Sequence, residues 1–293
     1  MLLFSRYAQN TCKRFLLCLC ISAIFCSNVT ASPKAKLAPK PVEASIIVDA
    51  NTGKVLHSYN ARLRAHPASL TKLMTLYHIF EHLKSKKWSM NTKIPITEKA
   101  AKMPPCNLKL NAGEYITVHD AILGLIVKSA NDVSVAIAEK IAGSEVRFAR
   151  MMNAKARKLG MAHTYFKNSS GLHNAYQKTT ASDIVRLAMA LKRDFPEYYP
   201  LFSKTNFMFK GQMIAGHNRV TKDYPGAEGL KTGYTAKSGY NLATIASRKN
   251  KALVGVVIGG STANARDIKM MNLLDQHFAI NSNHRNNVKK SKT

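Results

Sequence analysis

Cysteine is nearly missing from most of this chain. Four of its five cysteines, Cys12, Cys18, Cys20 and Cys26, fall within the first 31 residues, and only Cys106 lies beyond them. A lone thiol excludes an intramolecular disulfide framework, so the core must hold itself by apolar burial. Acid is scarce too. Asp and Glu number 16 against 44 Lys and Arg, giving +28 overall, or +25 once Arg6, Lys13 and Arg14 are set aside. No apolar run reaches the ~20 residues that span a bilayer, and no internal repeat is visible. Cys106 stands among Pro104, Pro105 and Asn107, which reads as an exposed loop rather than a catalytic thiol.

The first 31 residues have their own pattern. Arg6, Lys13 and Arg14 precede the apolar run Phe15 to Cys26, and a polar stretch ends in Val29-Thr30-Ala31. That is the layout of a secretory signal peptide. Bulky Phe25 before Cys26 speaks against a lipoprotein signal. Nucleic acid is the usual partner inferred from such a basic balance. Export points instead to no nucleic acid and to peripheral association with anionic envelope surfaces, a general basic bias being the competing reading.

The division expected is a signal peptide (1–31), a Pro/Lys-rich linker (32–42), a catalytic domain (43–280) and a basic, disordered tail (281–293). Within the domain, 44–49 and 54–59 read as strands around an Asn51-Thr52-Gly53 turn. A helix is expected from about Ser69 to Lys86. Thr117, Gly143, Gly160 and Thr180 mark the ends of further helices. The last third reads as antiparallel strands at 230–233, 239–247 and 252–259, then a helix from about Ala263 to Phe278. The fold class expected is α/β of the α+β kind. An antiparallel sheet from both ends of the chain is flanked by helices. An inserted all-helical subdomain leaves a cleft, with Ser69 at the junction.

Three stretches carry chemistry. Ser69 and Lys72, three residues apart, share one helix face. A serine hydroxyl needs a base before it attacks, and a lysine with a lowered pKa can be that base. A Ser-x-x-Lys match is expected about once by chance in a chain of this length. Ser129-Ala130-Asn131 places a hydroxyl and an amide at a turn between helices. Lys231-Thr232-Gly233 follows on a strand, where the glycine admits a substrate backbone and the lysine supplies a cation that need not titrate. In this order the three form the signature shared by penicillin-binding proteins and class A β-lactamases.

Over roughly residues 43 to 280 the chain resembles the serine D-alanyl-D-alanine carboxypeptidases, the low-molecular-mass penicillin-binding proteins. Ser170-Gly171-Leu172, His217-Asn218-Arg219 and Gly239-Tyr240-Asn241-Leu242 add to the likeness. The resemblance implies a serine β-lactamase/penicillin-binding-protein-like fold that needs no cofactor and no metal. It implies removal of the terminal D-alanine from peptidoglycan stem peptides, with β-lactam antibiotics as covalent inhibitors. By the same resemblance Ser69 is the nucleophile and Lys72 its base. Ser129 relays the proton to the leaving amine, and Asn131 holds the substrate amide and orients Lys72. Lys231 keeps the site electropositive, and the backbone N–H groups of Ser69 and Tyr234 form the oxyanion hole. Thr232 and Arg219 bind the terminal carboxylate, beside Gly233. Position 130 is Ala where the family often has Gly.

Four rival readings remain. A β-lactamase of class A needs a deacylating glutamate, but none of Glu139, Glu145, Glu197 or Glu228 has Asn four residues on. A D,D-endopeptidase acting on cross-links shares every motif. His78-Ile79-Phe80-Glu81-His82 matches a zinc-peptidase pattern, but it lies off the Leu73, Leu76, Phe80, Leu83 stripe and is expected to face solvent. An inactive wall-binding protein would not need the whole motif set.

Overall fold

The structure, a computed structural model, describes residues 41–290, with side chains as far as residue 279. The expected signal peptide, residues 32–40 of the expected linker and residues 291–293 lie outside it.

The chain opens with β1 (Ala44–Asp49) and β2 (Val55–Tyr59), paired antiparallel across the Asn51-Thr52-Gly53 turn. A 3-10 turn, Ala68–Thr71, leads into α1 (Lys72–Lys84). A two-stranded ribbon of β3 (Lys93–Pro95) and β4 (Tyr115–Thr117) encloses the short α2 (Glu98–Ala101). Next come α3 (Val118–Leu123), a π turn at Gly124–Lys128, α4 (Asn131–Ala142), α5 (Glu145–Lys158) and α6 (Ala181–Asp194). Side chains of Thr97, Thr117, Ser144 and Thr180 each accept a backbone N–H at a helix start, contacts worth about 1 kcal/mol apiece. Gly143 ends α4 in the left-handed region. The hairpin of β5 (Asn206–Phe209) and β6 (Gln212–Ala215) and the one-turn α7 (Arg219–Asp223) precede the three long strands. These are β7 (Ala227–Thr235), β8 (Gly239–Arg248) and β9 (Lys251–Gly260), and α8 (Ala263–Lys290) closes the chain.

The main sheet has the order β2-β1-β9-β8-β7, antiparallel at every pairing. Both ends of the chain therefore build one sheet, as expected. Alternation along its central strands separates two cores. Ile46, Val48, Val254, Val256 and Ile258 join the large core with α1, α4 and α6. Ile47, Leu253 and Val257 join Met270, Leu273 and Leu274 of α8 on the other face. Gly255 permits that contact, because a Cβ there would fall 2.5 Å from Met270 Sδ.

Two expectations need correction, and one element is new. α1 is not a half-exposed helix: every residue from Lys72 to Phe80 is buried, because α3, α4, α5 and α6 surround it. His78 is accordingly buried against Phe148 rather than turned to solvent. The last helix passes Phe278 and runs to Lys290, there being no Gly or Pro after Ser261 to stop it. The β5–β6 hairpin was not anticipated. Its turn, Lys210-Gly211, takes positive φ at both positions, the conformation that Asn-Gly usually advertises.

Candidate active site

The site forms where the 3-10 turn before α1 packs on β7 and the π turn meets α4. Ser69 lies on the 3-10 turn, not in the α-helix proper. Side chains three apart eclipse in that geometry, and Lys72, the first residue of α1, has its Nζ 3.2 Å from Ser69 Oγ. The turn is set by unusual backbone. Ala68 takes φ +48°, and a Cβ on Gly171 would fall 1.8 Å from Ala68 O. A Cβ on Gly233 would fall 2.9 Å from Ser69 N. Both glycines are needed for backbone to approach the nucleophile this closely.

Lys72 is fully buried. Its amine donates to Asn131 Oδ1 at 2.8 Å and to Ser170 O at 2.6 Å. Burial holds its pKa well below the ordinary 10.5, and the Lys231 charge lowers it further. Asn131 is fixed in turn by the 104–106 loop. Its Nδ2 donates to Pro104 O at 2.9 Å and its backbone N–H to Cys106 O at 2.7 Å. Cys106 itself is exposed. Ser129 occupies the left-handed region, φ +63°, between the π turn and α4, and is buried. The strained conformation separates it from Asn131 by one tight step.

On β7, Lys231 is buried and donates to Thr232 O at 3.0 Å. Burial brings its pKa down to about 7, with a further push from Arg266. Thr232 lines a small pocket with His217, Asn218 and Thr221. Tyr234 is half exposed and stacks on Tyr240, with centroids 4.3 Å apart. Arg219 stands at the start of α7. Its side chain is largely exposed and its Nε lies 3.6 Å from Asp223 Oδ2, and it does not line the pocket that Thr232 shares with His217.

Three groups in the site have no signature in side-chain spacing. Ser170 contributes a carbonyl, presented by a loop in which Thr75 Oγ1 donates to Ser169 O and Glu145 accepts from Ser169 N and Oγ. Asn241, fully buried on β8, donates from Nδ2 to His66 O and Pro67 O, each at 3.1 Å, and accepts from Gly259 N at 3.0 Å. It thereby pins the two residues before Ala68. His217, two residues before Arg219, lines the Thr232 pocket together with Asn218. Burial lowers its pKa, and the charges of Lys231 and Lys128 lower it further.

The zinc-like motif on α1 is not arranged as a metal site. His78 Nδ1 is 3.0 Å from Glu81 Oε2, His82 Nδ1 is 2.8 Å from His78 O, and Lys155 Nζ is 2.5 Å from Glu81 Oε1. Among the described residues no group of three or more His, Cys, Asp or Glu side chains is gathered for a metal ion.

Residues 30–262 match the family described as D-alanyl-D-alanine carboxypeptidase. The chain is 36% identical over 247 residues to D-alanyl-D-alanine carboxypeptidase DacF of Bacillus subtilis, covering 83% of this chain and 63% of that protein. It spans about three fifths of the length of the first curated relatives it matches. Penicillin-binding protein 5 of Haemophilus influenzae superposes with a TM-score of 0.78 at 31% identity, over 85% of this chain and 73% of that one. Penicillin-binding protein D2 of Listeria monocytogenes, solved in its ampicillin-bound form, gives 0.71 at 27% identity, over 78% and 94% of the two chains.

Proposed function

We propose, for a chain that belongs to the D-alanyl-D-alanine carboxypeptidase family, that it removes the terminal D-alanine from peptidoglycan stem pentapeptides through an acyl-enzyme on Ser69. The observation that carries this is the bonding of Lys72. A neutral amine has two N–H bonds and one lone pair. Asn131 Oδ1 and Ser170 O take the two N–H bonds, and the lone pair is left for the Ser69 hydroxyl 3.2 Å away. Burial and the Lys231 charge favour that neutral form.

β7 is the outer strand of the sheet, so an extended peptide can lie along its free edge with the scissile carbonyl over Ser69. Ser69 Oγ forms the new C–O bond as Lys72 Nζ takes its proton. The backbone N–H groups of Ser69 and Tyr234 hold the oxyanion. The C–N bond then breaks, and the departing D-alanine amine receives its proton by way of Ser129. Lys231 and Thr232 hold the terminal carboxylate beside Gly233. Arg219 would join them only by leaving Asp223. Water attacks the ester next and releases the shortened peptide. β-Lactams acylate Ser69 by the same attack. The setting proposed is the bacterial envelope, reached by export.

The test is incubation with a stem pentapeptide and, separately, a cross-linked dimer, with mass spectrometry of the products. Release of D-alanine from the pentapeptide alone is expected. Cleavage of the dimer alone would replace this reading with an endopeptidase. Rapid multiple turnover of penicillin would make the chain a β-lactamase.

A further inference from the structure

Beside His66, three short segments run next to one another. Ala65 and Thr179 exchange backbone hydrogen bonds at 2.8 and 2.9 Å, and Tyr165 and Lys178 do the same at 2.8 and 3.1 Å. This small ribbon carries a groove lined by Arg64, Tyr165, Lys167, Tyr176 and Lys178, with His163 at one end and no acidic side chain in its lining. Arg64 and Lys167 have no carboxylate partner among the described residues, in contrast to Lys155 and Lys192, which are held by Glu81 and Glu228. Two tyrosines are left open to water: Tyr165 is 50% exposed and Tyr176 is 76% exposed. The Lys167 ammonium is 5.8 Å from the Tyr165 ring centroid.

We infer that this groove is a docking surface for a polyanionic sugar chain. Open tyrosine rings offer flat, amphipathic faces to sugar rings. Unpaired guanidinium and ammonium groups take carboxylates or phosphates in charge-assisted hydrogen bonds. The choice of a sugar polymer rests on the wall-peptidase reading above. The groove is also tied to the catalytic centre. Lys178 Nζ is 2.8 Å from His66 Nε2, and His66 lies three residues before Ser69. The loop that forms the groove wall continues through Ser169 and Ser170 to Lys72. A strand bound here would bring its peptide branches close to the nucleophile.

The experiment uses the full chain. Arg64→Glu/Lys167→Glu, Tyr176→Ala and a control charge reversal at exposed Lys54 are compared by co-sedimentation with wall sacculi, intact or stripped of phosphate polymers. A single-stranded oligonucleotide serves as a competitor. The double variant is expected to bind about tenfold more weakly, from the loss and reversal of two charge-assisted contacts, and Tyr176→Ala a few-fold more weakly. Lys54→Glu should bind as wild type, and turnover of a soluble pentapeptide should be unchanged in all three. Binding that survives stripping assigns the anion to carboxylates, and binding lost on stripping assigns it to phosphates. Both outcomes support the groove. An equal loss in Lys54→Glu, or no loss in the double variant, overturns it, as does full displacement of sacculi by the oligonucleotide. If wild type binds sacculi through the groove but turns over no pentapeptide, the peptidase reading fails and the groove stands.

Discussion

Lys72 and Lys231 are the same residue type, both buried, a short distance apart, and made different by their partners. Lys72 has two carbonyl oxygens and a hydroxyl around its amine. Lys231 has one carbonyl, its neighbour Thr232 O. Burial pushes both toward neutrality, yet only Lys72 has two carbonyl acceptors and a serine hydroxyl within hydrogen-bond distance. Lys231 has N–H bonds left over, which the proposed mechanism uses for an incoming anion. Burial sets how readily a lysine loses its proton, and the acceptors around it set what the nitrogen does next.

The largest expected effect removes that difference. Lys72→Met should slow acylation of Ser69 by a fluorescent penicillin by about 10³-fold, within the range for losing a general base. Lys231→Met should cost less, about 10²-fold, and much of the loss should appear as a raised KM for peptide. Equal losses in kcat from both variants, with KM unmoved, would mean the two lysines do one job.

The pH profile sharpens the division. Lys72 acts when neutral, so kcat/KM should rise with pH through its lowered pKa. Lys231 acts when charged, so kcat/KM should fall again above about 7 as it loses its proton. Lys231→Arg keeps the charge at every relevant pH and should lift the alkaline limb while leaving a rising acid limb. A limb near 7 that persists in Lys231→Arg belongs to some other group. Because the charge on Lys231 is one of the causes lowering Lys72, Lys231→Met should also shift the acid limb to higher pH.

These two lysines were legible in the sequence because their chemistry resides in side chains at countable spacings. So were Ser69 and Asn131, both hydrogen-bonded to Lys72, with Ser129 two residues before Asn131 and Thr232 next to Lys231. The groups that distinguish Lys72 from Lys231 were less visible. Ser170 acts through a carbonyl, which any residue possesses, so no spacing could single it out. Asn241 was noticed only as part of a familiar run, and its three hydrogen bonds cross between β8, the turn before Ser69 and β9. Arg219 shows the converse. Its identity suited a carboxylate, but an aspartate four residues on, on the same helical turn, lies beside it. His78 misled for a different reason. A stripe of Leu and Phe reads as a one-sided helix, whereas α1 is enclosed from Lys72 to Phe80 and buries Thr75 and His78 too.

Asn241 tests how far the serine's own placement matters to its lysine. Asn241→Asp keeps the size and the acceptor for Gly259 N–H but loses both donations to the His66 and Pro67 carbonyls. With Ala68 held at positive φ, those bonds are what keep the turn in place. Acylation should fall by roughly tenfold, as for the loss of one or two hydrogen bonds at about 1 kcal/mol each, with KM little changed. Asn241→Gln, which retains the amide on a longer arm, should recover part of the rate. A uniform loss of thermal stability with unaltered acylation in the surviving folded protein would make Asn241 structural only.

The smallest effects concern the anion that Lys231 awaits. His217 shares the Thr232 pocket, and the charges of Lys231 and Lys128 bear on it, whereas Arg219 is turned to solvent and toward Asp223. Arg219→Ala should therefore change KM for a stem pentapeptide by less than about threefold, the scale of an exposed ion pair. His217→Ala should raise KM about fivefold at pH 6 with kcat held, as expected for one lost hydrogen bond to a charged group. At pH 8 the difference should shrink, because Lys231 is then largely neutral and the pocket holds the carboxylate less tightly in either protein. Steady-state kinetics at the two pH values decide the matter. A larger KM effect from Arg219→Ala than from His217→Ala would show that the guanidinium leaves Asp223 when substrate arrives, and would place a third cation beside Lys231 in the bound state.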